Sequence, residues 1–175
     1  MITVCSVTGV DFQGHLEAID RTQRAIPHFT HRKFIPIAGM TRDDYSRFIV
    51  NRLNHCIDTE HVLICQADGY GIHKELWSDE FLDFDFIGAG WPNGEVGNGG
   101  LSLRSKRFLE ASAALPEPDL PEDAYLCQYH RGELEQQGIR FAPLEVAIRF
   151  SFEHPVEGFE WNVERSWGFH GLWNL

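Results

Sequence analysis

Four positions in this chain combine residue types that carry out chemistry. The apolar run His61 to Cys65 (HVLIC) ends at Gln66-Ala67-Asp68-Gly69, which sets Asp68 just after it and before Gly69. If that run is a buried strand, the carboxylate stands at the rim beyond the strand's C-terminal end, where α/β sheets bind ligands. One carboxylate there can take a hard cation, Mg²⁺ or Mn²⁺, with further positions left for substrate phosphates. By spacing alone, a turn aspartate before glycine is the plainer role. Gly97 to Arg104 (GNGGLSLR) joins a glycine-rich loop to another apolar run. Glycines beside Asn98 either admit a ligand close to the backbone or make a tight connection. No GxxxxGK[ST] occurs, so the loop is not of the Walker type. Glu122 and Asp123 follow Pro121 at a helix start, where acids suit the helix dipole and where a carboxylate can also serve as a general base. His170 lies in an aromatic tail, as a packed or surface residue or as a neutral imidazole suited to Mn²⁺.

The elements that must position these groups alternate along the chain. Ile2 to Thr8 predicts a strand and His15 to Ile26 a helix; Lys33 to Ile37 predicts a second strand. Thr41 with Asp44 resembles a capping box opening a helix to about Ile57. His61 to Cys65 reads as a strand buried on both faces. Trp77 to Phe81 predicts a helical turn, Phe84 to Ala89 and Leu101 to Arg104 strands, and Ser105 the cap of a helix to about Ala114. After the proline-rich link Pro116 to Pro121 come a helix over Glu122 to Gln137 and a strand near Arg140 to Pro143. From Glu145 onward the pattern is irregular and aromatic. Such alternation predicts an α/β three-layer sandwich, Rossmann-like, with a mainly parallel central sheet.

A chain of 175 residues suits one domain spanning 1–175. Its 43% apolar content supports a folded core. The net charge of −11 argues against nucleic acid and anionic membranes as partners. A local cluster of Arg21, Arg24, Arg104, Lys106 and Arg107 remains available for one nucleotide diphosphate. Cys5, Cys56, Cys65 and Cys127 form no CxxC pair and are read as buried thiols. No stretch of about 18 apolar residues occurs, and the expected location is cytoplasmic.

Several segments look familiar together: QADGY (Gln66 to Tyr70), WSDEFLDFDFIGAGW (Trp77 to Trp91), GNGGLSLRSK (Gly97 to Lys106), PEDAYLC (Pro121 to Cys127), GIRFAPLEVAIRFSFE (Gly138 to Glu153) and FHGLW (Phe169 to Trp173). On these the chain resembles a bacterial domain-of-unknown-function family, number 5672, of predicted GT-A glycosyltransferases. GNGGLSLRS and the following PED are also similar to segments of galactosyl- and N-acetylgalactosaminyl-type transferases. The resemblance implies a GT-A-like fold and transfer of a sugar from a nucleotide-sugar, first of all a UDP-sugar, to an acceptor hydroxyl. It implies Asp68 as the second acid of a DxD motif, with Gln66 replacing the first, and His170 as the metal-binding histidine for Mn²⁺ or Mg²⁺. Asn98, Gly99 and Gly100 correspond to a donor or acceptor loop. Asp123, with Glu122 beside it, corresponds to the catalytic base of an inverting displacement. Thr8 and Asp11, after the first strand, would contact the nucleoside. A polysaccharide or surface-glycan pathway is the implied setting, with a small acceptor or one held by another protein, such as a partner glycosyltransferase. A carbohydrate- or nucleotide-sugar-binding module without turnover is the alternative, favoured by Gln66, with Trp91, Trp161 and Trp167 available to stack on sugars. A hydrolase using Asp68 and Asp123 as a carboxylate pair is a third possibility.

Overall fold

In the computed structural model, which describes all 175 residues, the two apolar runs become adjacent strands whose alternate residues serve opposite layers. From β1 (Ile2–Thr8), Ile2 and Val4 face one core, and so do Leu63 and Cys65 of the β3 (His61–Ile64) run. Cys5 and Val7 face the other with Val62 and Ile64. Helix α1 (Phe12–Ala25) closes the first side through Ala18 and Ile19. On the second side lie α2 (Arg42–Asn51) and α3 (Lys106–Ala113), through Ile49 and Leu109. The result is the expected three-layer α/β sandwich. Thr41 and Asp44 do form a capping box, and Ser105 caps α3 by accepting from Phe108 N–H.

The central sheet has the order β2-β1-β3-β6-β5, with β2 (Thr30–Pro36) at one edge and the short β5 (Phe86–Ile87) at the other. β2, β1 and β3 are parallel, but β6 (Ser102–Ser105) runs antiparallel to both β3 and β5. The sheet is therefore mixed, and the expectation of a mainly parallel one is corrected. An apolar run announces burial on two faces, whereas strand direction depends on where the chain re-enters the sheet. Here β5 runs in the direction of β3, and the loop that follows it brings the chain back into β6 from the rim. A second sheet, of order β4-β8-β7, is built from β4 (Gly69–Gly71), β7 (Ser151–Phe152) and β8 (Gly168–His170).

The predicted helix over Glu122 to Gln137 is broken into α4 (Glu122–Ala124), a π turn over Tyr125–Tyr129 and α5 (Arg131–Gln136). The strand expected near Arg140 shrinks to one bridge, Phe86 with Phe141. The aromatic tail contains α6 (Leu144–Phe150) before β7 and β8. Trp167 is fully buried, stacked on Phe150 with its indole N–H donated to Ala25 C=O, so it is closed to any sugar. All four cysteines are free and three are buried; burial pushes the Cys5 thiol up to about 12. No helix is long and apolar enough to cross a membrane.

Candidate functional site

The antiparallel direction of β6 is what assembles the site. β1 and β3 end at one rim, and β6 begins there, with Ser102 beside Ile64. The loop before β6, Asn98 to Gly100, therefore lies alongside the turn after β3. In that turn Gln66 and Gly69 exchange backbone hydrogen bonds, which puts Ala67 and Asp68 at the tip. β8 then pairs with β4 so that His170 stands opposite Gly69, next to Asp68, and Gly171 N–H donates to Asp68 C=O. β7 lies on the other side of β8 and delivers Glu153 just beyond its end.

His170 is thus held between two carboxylates. Its Nδ1 lies 2.8 Å from Glu153 Oε1 and its Nε2 lies 3.6 Å from Asp68 Oδ1. Burial acts to lower the imidazole pKa, but the two acids outweigh it and raise it to about 9. The neighbouring ring in turn holds Asp68 below its usual value. Glu153 is itself buried, and its second oxygen accepts from Asn98 Nδ2 at 2.8 Å. Asn98 Oδ1 takes Gly100 N–H, so both ends of this amide are used inside the protein. A histidine whose Nδ1 is tied to a carboxylate presents Nε2 in a fixed direction, the usual support of a metal ligand. No set of three His, Cys, Asp or Glu side chains is placed to hold a cation alone. Asp68 and, once a bound cation displaces its Nε2 proton, His170 supply two ligands, which fits a Mg²⁺- or Mn²⁺-type site completed by phosphate and water oxygens.

A cavity of about 280 Å³ opens beside this row. Gln66, Asn98, Gly99, Gly100, Glu122, Asp123 and His170 all line it, joined by Arg42, Tyr45 and Ser46 from α2. Gln66 donates its amide to Tyr45 OH at 3.1 Å. Glu122 is buried, and both its oxygens are taken by Arg104, at 2.8 and 2.9 Å. A carboxylate so engaged has no free oxygen for a substrate proton. Asp123 is half-buried; one oxygen accepts from Ala124 N–H and the other has no protein partner. The glycines serve these side chains. A Cβ at Gly99 would lie 2.0 Å from Glu122 Oε1, and one at Gly100 2.2 Å from His170 Nε2. Their smallness admits the site's own residues, where the sequence left open either room for a ligand or a tight connection.

Thr8, Asp11 and Asp68 are not in the cavity wall. Thr8 is buried, with its hydroxyl bonded to Val10 C=O. Asp11 is exposed and caps α1 by accepting from Gly14 N–H, in a left-handed conformation (φ 43°) that costs a non-glycine residue energy. His15, one turn into α1, is buried against Ser6 with its Nδ1 2.6 Å from the hydroxyl. Burial lowers its pKa, while Asp11 and Asp68 pull the other way. The proposed basic cluster does not exist as a unit. Arg104 is fully buried, Lys106 is bonded to Asn54 and Ile57 carbonyls, Arg107 reaches Gln137 C=O, and Arg21 covers the Tyr70 ring.

Comparison with known proteins places these features. A family model described as protein of unknown function (DUF5672) matches residues 30–170, most of the chain. The chain belongs to the DUF5672 family. No curated protein matches its sequence. Among solved structures, this DUF5672 chain is similar to a glycosyltransferase involved in the glycosylation of the major capsid of PBCV-1. That match has a TM-score of 0.61 and 13% identity, covering 97% of this chain and 92% of that one. It is also similar to the galactosyltransferase LgtC in complex with donor and acceptor sugar analogs, with a TM-score of 0.56 and 12% identity, covering 98% and 87%. Both likenesses are of fold, and they make this DUF5672 member glycosyltransferase-like in architecture.

Three residues that sequence reasoning left out belong to the family member's site: Glu153, Arg42 and Tyr45. Glu153 ends the segment IRFSFE, in which apolar Ile148, Phe150 and Phe152 alternate with polar residues, and an acid closing that alternation is a usable signal. Arg42 sits one residue after the Thr41 cap and makes no ion pair, which only the structure reveals.

Proposed function

We propose that this DUF5672 member is a glycosyltransferase that moves a sugar from a nucleotide-sugar donor, first of all a UDP-sugar, to an acceptor hydroxyl with inversion. The observation that carries this proposal is the meeting of His170, clamped between Asp68 and Glu153, with Asp123 at the edge of the adjoining cavity. The glycosyltransferase-like fold supports it.

In this account Asp68 and His170 would hold a divalent cation. When bound, such a cation neutralises charge developing on the departing diphosphate. Glu153 orients His170, and Asn98 orients Glu153. Asp123, with its unpartnered oxygen, takes the proton of the acceptor hydroxyl as that oxygen bonds to the anomeric carbon and the bond from carbon to the diphosphate oxygen breaks. Glu122 is a positioning residue: paired with Arg104, it fixes the start of α4 and hence Asp123. Thr8 and Asp11 belong to the turn assigned to the nucleoside.

A sugar-binding module without turnover keeps one observation in its favour, the neutral Gln66 where a second acid would strengthen cation binding. Thermal unfolding with a panel of nucleoside diphosphates, each with and without Mn²⁺, tests the donor site. A ligand at about 100 times its dissociation constant adds roughly 2.7 kcal/mol. Stabilisation that requires one nucleotide together with Mn²⁺, and that His170→Ala loses, is expected. Absence of any nucleotide effect would leave the binding module as the better account.

A further inference from the structure

Asp123 stands between two openings. One is the cavity that ends at His170. The other is an open groove of about 480 Å³ that shares Arg42, Pro121 and Asp123 with the cavity and has Trp91, Asn93 and Gln128 as walls of its own. Its size falls in the roughly 300–1,000 Å³ range of small-molecule sites. We infer that this groove is the acceptor subsite and takes a neutral sugar residue laid on Trp91. Its assignment to the acceptor, as distinct from sugar binding itself, rests on the transferase function proposed above.

The placement of Trp91 supports a stacking role. The indole is half-buried, and its chain is fixed by a tight turn in which Trp91 N–H donates to Glu95 C=O and Gly94 N–H to Trp91 C=O. One edge of the ring is seated over Gly97, where a Cβ would lie 2.2 Å from Cη2. A rigid aromatic surface beside polar side chains is the usual means of holding a sugar ring, which has an apolar face and a hydroxylated edge. The charges favour a neutral ring over an acidic one. Arg42 is the single cation on the groove wall, with Asp123 on the same wall as its anion. Glu95 stands behind the amides, since Asn93 Nδ2 and Gln128 Nε2 both point to its Oε2, at 3.0 and 3.4 Å. His170 lines the cavity and not the groove, so an acceptor hydroxyl reaching Asp123 from the groove and a diphosphate leaving on the His170 side would use different openings.

Nuclear magnetic resonance of ¹⁵N-labelled indole groups tests the inference on the intact chain, which has five tryptophans. The Trp91 signal is assigned by its loss in Trp91→Phe. Methyl glycosides of neutral hexoses and of N-acetylglucosamine, titrated without nucleotide or metal, should move the Trp91 signal to saturation and leave that of buried Trp167 in place. Trp91→Ala should weaken the same glycoside by about threefold to tenfold, read on the ligand's own signals. UDP should not displace the glycoside. The inference is overturned if no neutral glycoside moves the Trp91 signal, if methyl glucuronide alone does so, or if UDP competes for the groove. Because the titration needs neither donor nor turnover, its failure is separate from failure of the transferase proposal.

Discussion

A methyl group on Gly100 would sit 2.2 Å from His170 Nε2, so Gly100→Ala must displace the imidazole or the loop. Overpacking of this kind costs about 1–3 kcal/mol. Urea unfolding should show that loss, and the His170 ring signals should shift. Gly132, in α5, has nothing within 4 Å of the position a Cβ would take, and it is the control: Gly132→Ala should be neutral or stabilising by about 0.5–1 kcal/mol. Equal destabilisation by both changes would remove the special fit assigned to Gly100. At this scale the sequence was informative about which residues matter and less so about why. Asp68, Asp123 and His170 stood out by type and position. The glycines and Asn98 stood out too, but their use is internal, on Glu122, His170 and Glu153, through contacts between segments far apart in the chain. Glu153 was missed for the same reason: its partners come from other loops.

Two elements carry the precision of the site. β6 and the start of α4 are joined by the buried Arg104–Glu122 pair, in which burial raises the Glu122 carboxyl and the facing guanidinium opposes that rise. Removing one partner of such a pair leaves an uncompensated buried charge and costs about 3–5 kcal/mol. Arg104→Ala and Glu122→Gln should therefore both lose a large part of that amount in urea unfolding, the first by stranding a carboxylate that can still take up a proton, the second by leaving the fully buried guanidinium without its counter-charge. A loss confined to one of the two variants would show that the pairing is not what holds α4. Helix α1 gives a pH signature. Ser6 Oγ donates to Cys65 C=O, which leaves it to accept from His15 Nδ1–H, and burial keeps His15 below its usual value near 6.5. The unfolded chain then takes up a proton on this residue before the folded one does. Its contribution is complete above about pH 6.5 and is lost as pH falls below that value. His15→Gln should flatten the dependence of the unfolding midpoint on pH below about 6.5; an unchanged slope would show that other histidines govern it. Element types were legible where caps and periodicity were strong, as at Thr41 and Ser105. Strand direction and the π turn over Tyr125–Tyr129 were not, since neither leaves a local pattern.

For the molecule as a whole, the three-layer sandwich was legible from alternation of strand and helix. The second sheet was hidden because its strands are two or three residues long and drawn from both halves of the chain. That small sheet brings the tail back to the rim, so His170 reaches Asp68 only when the whole chain has folded. The central claim, sugar transfer with Asp123 as base, is tested most directly by nucleotide release from a panel of nucleotide-sugars. Each donor is assayed with Mn²⁺ and an acceptor mixture, using wild-type protein and Asp123→Asn. Wild type should release nucleotide from one donor class and glycosylate an acceptor. Asp123→Asn should lose transfer by at least about 100-fold, the lower end for a general base, while keeping the nucleotide-dependent gain in thermal stability. Full transfer by a folded Asp123→Asn protein, or no release by wild type from any donor, would contradict the account.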